Sequence, residues 1–365
     1  MRVGIPVEAR PAERRVAGLP ETVTTLIGAG LTVDVQAGAG RHARASDAAY
    51  RAAGANVIAD HPAGQSDVVV SVQPPTPEQA AALREGDITI SFLQPHGERE
   101  LIEVLLANKV TAFSLDLLPR VTRAQAADAL SSQALVAGYR AVVEAANRLP
   151  KFLPMFTTAA GTIPPAKVLV LGAGVAGLQA IATARRLGAV VEAYDVRAAA
   201  RDEVRSLGAR FLELDLETQQ GVYAEAQSET FLERQRELIA DRVAASDVVI
   251  STAAIPGRKA PVLVTDDMLK SMAPGSVVVD LAAESGGNVT ASSPGEETWV
   301  GEVLVYGAKN MPSTMPVHAS RLYARNVANL LLMMTKDGRV VPDLTDEVLA
   351  GCCLTHAGEL RRELP

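Results

Sequence analysis

The sequence predicts an α/β protein built from two domains, each with a parallel sheet. Three observations support this prediction. Short β-branched runs alternate with helical stretches in the N-terminal third, the alternation starts again after a proline-rich segment, and one buried run leads directly into a glycine-rich turn. Such alternation is typical of a parallel sheet that is covered by helices on both faces.

The first alternating series lies within residues 1–130. Helical patterns such as those at residues 20–29 and 98–108 separate runs that are typical of strands. These strand-like runs lie at residues 3–5, 31–35, 56–58, 68–72, 87–92 and 111–114. Together they predict the larger part of a first α/β domain.

The middle of the chain predicts a change of domain. Residues 123–147 form an alanine-rich stretch without proline, which indicates a long interdomain helix. Residues 149–166 contain four prolines and predict an extended connection. A second alternating series follows at residues 168–307. We therefore expect a second domain at residues 131–311.

The C-terminal segment predicts a return to the first domain. Residues 320–335 have the pattern of a helix, and this helix follows the end of the second alternating series. We expect residues 312–365 to complete the first domain, which makes that domain discontinuous.

Composition and charge exclude several classes of protein. The 365 residues are 48% hydrophobic and 21% charged, as in a globular chain with a sizeable core. The net charge of −7 argues against a nucleic-acid partner, which would need a basic face. Cys352 and Cys353 are adjacent, a spacing that suits neither a disulfide framework nor a zinc site. We expect a cytoplasmic protein without a metal site.

Membrane insertion is not expected. The N-terminus lacks the basic patch and apolar run of a signal peptide. Residues 168–184 carry no charge and approach the length of a membrane span, but they contain three glycines and read better as strand, turn and helix.

A glycine turn carries the strongest functional signal. The apolar run at residues 167–171 is followed by Gly172, Gly174 and Gly177 and then by an alanine-rich helix. This order is the one that a Rossmann dinucleotide site requires. The three glycines allow, in order, the tight turn, the approach of backbone to a pyrophosphate, and close helix–strand packing. The helix N-terminus supplies free N–H groups to the phosphates. A turn that merely packs a helix on a strand is the alternative.

An acid after the next strand indicates which nucleotide binds. Asp195 ends a strand-like run and lies roughly 20 positions after Gly172, as a ribose-binding acid should. Its carboxylate would accept hydrogen bonds from a ribose diol and repel a 2′-phosphate, which favours NAD over NADP. Arg197 follows this acid and is assigned to adenine stacking. The turn at residues 251–257 would line the cleft, with Thr252 and Ala254 as contacts.

Several longer motifs carry a resemblance to a known family. They lie at residues 119–125 (PRVTRAQ), 130–133, 137–141, 159–166, 174–180, 280–282 and 286–288. Over nearly its whole length the chain resembles the NAD(H)-binding component (domain I, or alpha 1 subunit) of proton-translocating NAD(P) transhydrogenases, which are relatives of alanine dehydrogenase. This resemblance implies two Rossmann-like domains.

The resemblance also implies site residues. The segment with Arg120, Gln125 and Asp128, together with Ser131, would contact the nicotinamide, its ribose and an incoming second nucleotide. Residues at these spacings can face one cleft, although solvated charges at a helix start are the alternative. Tyr223 would belong to a mobile loop that closes over the nucleotide. Further implied cofactor contacts are Val175, Val196 and Gln235.

The family contains two chemistries, and the residues favour transhydrogenation. Reduction of a 2-oxo or imino acid needs a proton donor and a cation for the carboxylate, whereas hydride exchange between nicotinamides needs neither. Gln73 stands where alanine dehydrogenases have lysine, and Glu284 stands in place of their catalytic aspartate. Arg15 and His96 keep an alanine dehydrogenase open as the alternative. A non-catalytic NAD(H)-sensing module is a second alternative.

The resemblance implies partners. The chain would form a homodimer and present NADH to NADP⁺ on an NADP(H)-binding beta subunit, with direct hydride transfer between the nicotinamides. The whole enzyme would be of the Si-specific, proton-pumping type, with protons crossing through a membrane-embedded subunit. This chain would then be cytoplasmic and peripheral on the cytoplasmic face of the inner membrane.

Overall fold

The computed structural model describes residues 1–213, 224–254 and 259–362. The chain divides into two compact units. The first unit combines Met1–Gln133 with Pro312–Pro365, and the second is Ala134–Met311. The boundaries at residues 130 and 312 stay a prediction about which segments fold together.

The elements of the N-terminal segment alternate between strands and helices. They are β1 (Arg2–Ile5), α1 (Pro20–Gly28), β2 (Thr32–Gln36), α2 (Asp47–Ala52), β3 (Asn56–Ile58), β4 (Val68–Val70), α3 (Pro77–Ala81), β5 (Ile88–Ser91), α4 (Arg99–Ala107) and β6 (Thr111–Ser114). Every strand predicted here forms, with bounds shifted by at most two residues.

The middle and C-terminal segments continue the series. The middle elements are α5 (Ala129–Arg148), β7 (Phe156–Thr158), β8 (Gly161–Ile163), β9 (Lys167–Leu171), α6 (Val175–Arg186), β10 (Val190–Tyr194), α7 (Ala200–Ser206), β11 (Arg210–Phe211), α8 (Ala224–Ala244), β12 (Val248–Ser251), α9 (Asp266–Lys270), β13 (Val277–Asp280), β14 (Glu297–Val300) and β15 (Val303–Gly307). The last are α10 (Pro316–Met333), β16 (Thr335–Lys336), β17 (Arg339–Val340), α11 (Glu347–Cys352), β18 (Cys353–His356) and β19 (Glu359–Leu360).

The first unit is built on one sheet, and the C-terminal segment completes it. Within the described residues, the strand order is β19-β18-β6-β5-β4-β1-β2-β3. The strands from β6 to β3 are parallel, whereas β18 and β19 are antiparallel. All three valines of β4 are buried, as expected for a strand that is covered on both faces. The predicted discontinuous α/β architecture is confirmed.

The second unit is also a parallel sheet with one antiparallel edge strand. Its order in the described residues is β11-β10-β9-β12-β13-β15-β14, and β14 is the antiparallel strand. Alternate residues of β9 face opposite cores: Val168 and Val170 belong to one, and Leu169 and Leu171 to the other. The order reverses between β9 and β12, and nucleotides bind at the carboxyl ends of strands at such a point.

The predicted interdomain helix is wrong at its start. Thr122–Ala127 form a 3-10 helix, and α5 begins only at Ala129. Asp128 has non-helical backbone angles, and its carboxylate accepts hydrogen bonds from the backbone N (2.9 Å) and Oγ (2.5 Å) of Ser131. An aspartate in this position satisfies a free N–H of the helix start, which favours a boundary over a continuous helix.

The predicted extended connection contains a hairpin. Residues Phe156–Thr158 pair antiparallel with Gly161–Ile163, and all of them are exposed. Periodicity did not reveal these strands because neither has a buried face. In the described part of the chain, no helix is long and apolar enough to cross a membrane.

Candidate functional site

Two of the three glycines in the predicted nucleotide turn are required by the fold itself. Gly172 has φ +96°, and a Cβ there would lie 2.7 Å from Thr252 Oγ1. A Cβ on Gly177 would lie 1.9 Å from the carbonyl oxygen of Gly172. A larger residue at position 177 would therefore push helix α6 away from the turn, and one at position 172 would strike Thr252.

The fold gives no reason for the glycine at position 174. Its φ is −76°, which any residue adopts, and apart from its two neighbours in the chain no described residue has an atom within 4 Å of where its Cβ would be. Gly174 precedes α6, whose N-terminus has no side-chain cap. The first residue of that helix, Val175, is 42% exposed. The turn therefore leaves open space beside free N–H donors, which is the arrangement that an anionic ligand needs.

Asp195 is tied to this turn. One carboxylate oxygen accepts a hydrogen bond from Ala173 N at 2.7 Å, and the other accepts one from Arg197 N at 2.8 Å. The side chain is 8% exposed. Burial raises its pKa, but the hydrogen bonds and the Arg197 charge outweigh burial and hold the pKa below its usual value. The carboxylate is therefore ionised and lies beside the open turn.

Arg197 is the direct partner of this acid. Its Nε and Nη2 donate to the two carboxylate oxygens of Asp195 at 3.0 and 3.1 Å, and Nη2 also donates to Ala173 O at 3.2 Å. The side chain is 59% exposed, and its neighbour Val196 is 67% exposed. Stacking of Arg197 on adenine stays a prediction.

The other expected cofactor contacts lie near the glycine turn, inside helix α8, or outside the described residues. Thr252 belongs to the turn, because its hydroxyl donates to Gly172 O at 3.1 Å, and Ala254 is exposed nearby in sequence. Gln235 is buried in α8. Tyr223 and residues 255–257 of the predicted turn lie outside the described residues.

The first unit carries the segment with Arg120, Gln125 and Asp128. The Ala126 carbonyl accepts hydrogen bonds from the side-chain amides of Asn326 (3.0 Å) and Asn329 (2.9 Å) of α10. Arg120 and Gln125 are exposed, whereas Asp128 caps α5 through Ser131. The backbone is thus fixed while two polar side chains remain available.

Three residues bear on the alanine dehydrogenase alternative: Arg15, Gln73 and His96. They are not arranged to bind the carboxylate of a substrate. Arg15 is 5% exposed, and its Nε and Nη2 donate to the carboxylate of Glu13 at 2.8 and 2.7 Å. Its Nη1 donates to Gln133 at 2.9 Å, and Gln73 donates to the same Glu13 at 2.7 Å. The charge of Arg15 is therefore neutralised within the protein. His96 is exposed in its loop.

Sequence reasoning did not single out Asn288 and Asp280 as site residues, although both lie in motifs of the resemblance. Both side chains are fully buried in the second unit, and they hold the backbone that follows β12 and β13. An acid at the end of a buried strand, followed shortly by two glycines and an asparagine, is the signal that could have revealed them.

Family models match almost the whole chain. The model for the N-terminal domain of alanine dehydrogenase/PNT matches residues 4–137, and the model for its C-terminal domain matches residues 141–363.

Curated proteins and solved structures agree with this match. A Rhodospirillum rubrum protein, named as the first portion of NAD(P) transhydrogenase subunit alpha, is 44% identical over 374 residues, with 99% of this chain and 97% of that protein covered. An alanine dehydrogenase of Mycobacterium tuberculosis is 31% identical over 372 residues, covering 100% and 95%. The crystal structure of a transhydrogenase from Sinorhizobium meliloti superposes with a TM-score of 0.91 at 45% identity, covering 99% and 100%. An L-alanine dehydrogenase superposes with a TM-score of 0.83 at 28% identity, covering 99% and 96%.

Proposed function

Because the chain belongs to the alanine dehydrogenase/PNT family, we propose that it is the NAD(H)-binding component of a proton-translocating NAD(P)⁺ transhydrogenase of the Si-specific type. The observation that carries the nucleotide part of this proposal is Gly174. Neither packing nor backbone conformation requires a glycine there, so ligand approach is the remaining reason.

The residues of the second unit fit NAD(H). The open turn and the uncapped start of α6 would hold the pyrophosphate, with Gly172 and Gly177 shaping the turn and Val175 at its edge. The ionised Asp195 would bind the adenine-side ribose, and it excludes the 2′-phosphate of NADP(H) by charge. Val196, Arg197, Tyr223, Gln235, Thr252 and Ala254 complete the proposed set of cofactor contacts.

The contribution of this chain to the reaction would be to position the two nicotinamide rings. When bound, NADH would supply a hydride from its nicotinamide ring, and NADP⁺ on the partner subunit would accept it. Arg120 and Gln125 would orient the rings, because their side chains are exposed on a backbone that α10 holds at Ala126. The Asp128–Ser131 pair would fix the end of this segment rather than transfer a proton. Direct hydride exchange needs no general acid.

The alternative of an alanine dehydrogenase is disfavoured by the surroundings of Arg15. Its guanidinium already pairs with Glu13, and Gln73 replaces a cationic lysine. A substrate carboxylate would have to displace a buried internal ion pair, which costs several kcal/mol. A pure NAD(H) sensor would have no use for the exposed Arg120 and Gln125.

We propose the partners that this function requires. A second copy of the chain would cover the exposed apolar side chains around the β7–β8 hairpin, since clustered apolar exposure marks association sites. These are Phe152 (54% exposed), Met155 (61%), Phe156 (43%) and Ile163 (44%). An NADP(H)-binding beta subunit and a membrane-embedded subunit would hold the chain at the cytoplasmic face of the inner membrane.

A reconstitution assay tests the function. The chain alone should exchange hydride between NADH and an NADP⁺ analogue at background rate, and addition of an isolated NADP(H)-binding partner domain should raise the rate strongly. The same preparation with pyruvate, ammonium and NADH should show no turnover. Rapid NADH oxidation that depends on both pyruvate and ammonium would establish the alanine dehydrogenase instead.

A further inference from the structure

Asn288 is a buried side chain that uses its full hydrogen-bonding capacity. It has no exposed surface. Its Oδ1 accepts hydrogen bonds from Ser251 Oγ (2.6 Å) and Ala253 N (3.0 Å), and its Nδ2 donates to Ala253 O (2.8 Å) and Pro261 O (2.7 Å). An amide offers two acceptor positions and two donors, and here all four are engaged. The side-chain amide therefore pairs with the backbone of Ala253 as a peptide group of a neighbouring strand would.

Asp280 holds Asn288 in place. This carboxylate is also fully buried, and its Oδ2 accepts hydrogen bonds from Asn288 N (2.9 Å) and Val289 N (3.2 Å). Gly287, which precedes Asn288, has φ +78°, and a Cβ there would lie 3.1 Å from that same oxygen. The backbone at Asn288 is thus fixed from the end of β13, and so is the direction of its amide.

The segment that Asn288 holds reaches the glycine turn through one residue. Ser251 ends β12 and Thr252 follows it, so Asn288 binds the residues on both sides of Thr252. The Thr252 hydroxyl donates to Gly172 O at 3.1 Å and limits the space at Gly172, where a Cβ would come within 2.7 Å. A shift of residues 251–253 would therefore move a wall of the turn.

We propose that Asn288 is a positioning residue for NAD(H) binding. Its amide fixes Ser251 and Ala253, and these two residues hold Thr252 against the glycine turn in the geometry that admits the pyrophosphate. Asn288 acts through the backbone and does not contact the nucleotide. The proposal rests on the proposed function, because it concerns the same nucleotide site.

The substitution Asn288→Asp tests this role with almost no change in shape. As a neutral acid, the new side chain accepts from Ser251 and Ala253 and still donates one hydrogen bond to a carbonyl. As a carboxylate, it faces the carbonyl oxygens of Ala253 and Pro261 and repels both.

The pH dependence of NADH affinity is the readout. Among the described residues, the titratable groups near this side chain include Asp280, which binds Asn288 N, and Lys259, whose side chain packs on Gly286. Between about pH 6 and about pH 9, the Kd of Asn288→Asp for NADH should rise about tenfold more than that of the wild type, because ionisation removes the one hydrogen bond that the neutral acid still donates and makes both carbonyl contacts repulsive.

A matched control separates positioning from stability. Asn108, in the first unit, also donates its side-chain amide to backbone carbonyls, at 3.1 to 3.3 Å. Asn108→Asp should lower the melting temperature at high pH and leave the NADH Kd at the wild-type value. For both variants, calorimetry should give the binding stoichiometry together with Kd, and circular dichroism at the same pH should verify that the protein is folded, since reversible unfolding by itself lowers the apparent affinity.

The measured affinities either support or overturn the positioning role of Asn288. If Asn288→Asp binds NADH with full stoichiometry and the wild-type pH profile, the positioning role is overturned. If Asn288→Asp unfolds at high pH, the uncharged variant Ser251→Ala decides: it removes one of the four hydrogen bonds, and its affinity should fall about fivefold. Unchanged affinity in Ser251→Ala would overturn the proposal. Absence of NADH binding by the wild type would refute the proposed function, and this inference with it.

Discussion

The space around each glycine of the turn determines whether that glycine is needed for folding or for ligand binding. A methyl group on Gly177 would strike the Gly172 carbonyl, whereas one on Gly174 would enter open space. The same substitution at two positions three residues apart should therefore separate folding from ligand binding.

Gly174→Ala should leave the melting temperature unchanged and weaken NADH binding by about 1–3 kcal/mol, since the methyl group overpacks only the occupied site. Gly177→Ala should lower the free energy of unfolding by a similar amount. Thermal melts and calorimetric titrations of both variants check this. Wild-type NADH affinity in a folded Gly174→Ala protein would remove the main support for the nucleotide site.

Charge at Asp195 should determine nucleotide choice. The wild type should bind NADH far more tightly than NADPH, because in the proposed site the 2′-phosphate of NADPH would lie against the ionised carboxylate of Asp195. The substitution Asp195→Ala should narrow the difference between the affinities for NADH and NADPH. It also releases the Arg197 guanidinium, which can then pair with that phosphate. Paired titrations with the two nucleotides measure the preference, and equal affinities in the wild type would contradict the assignment.

At the scale of elements, helix α5 is packed closely against helix α6, which follows the glycine turn. Gly138 of α5 is buried, and a Cβ there would lie 2.0 Å from the carbonyl oxygen of Ala176, in the first turn of α6. The missing side chain lets the two backbones approach. The orientation of α6, and hence of its N-terminus, depends on this contact.

Gly138→Ala should destabilise the protein by about 1–3 kcal/mol and also weaken NADH binding, because α6 must move. Gly28→Ala is the matched control. Gly28 is the last residue of helix α1, and outside its chain neighbours and the backbone of that helix no described atom lies within 4 Å of its Cβ position. Alanine there should be neutral or slightly stabilising. Equal melting temperatures for the two variants would show that the α5–α6 contact is not tight.

At the scale of the whole molecule, the proposed function assigns residues to each of the two units. The second unit contains the glycine turn and Asp195, and the first contains the segment from Arg120 to Ser131. In the proposed function one unit binds the nucleotide, and the other contributes the side chains that meet the partner's nucleotide. Affinity and transfer rate should therefore respond to different substitutions.

Gln125→Asn should slow single-turnover hydride transfer in the reconstituted system about a hundredfold, because a ring misplaced by about 1 Å loses that much rate. NADH affinity should remain almost unchanged. Stopped-flow transfer rates and NADH titrations test both expectations. If affinity collapsed while the bound fraction reacted normally, Gln125 would be a direct NADH ligand.

The sequence alone determined the α/β class, the discontinuous first domain and the family, because strands, helices and the glycine turn leave local patterns. It could not assign separate roles to Gly174 and Gly177 or foresee the N-cap at Asp128. The Arg15–Glu13–Gln73 cluster and the four hydrogen bonds of Asn288 were also decided by the tertiary structure. Apart from the cap, these features depend on atoms that lie far apart in the chain or on exact clearances, and periodicity contains no information about either.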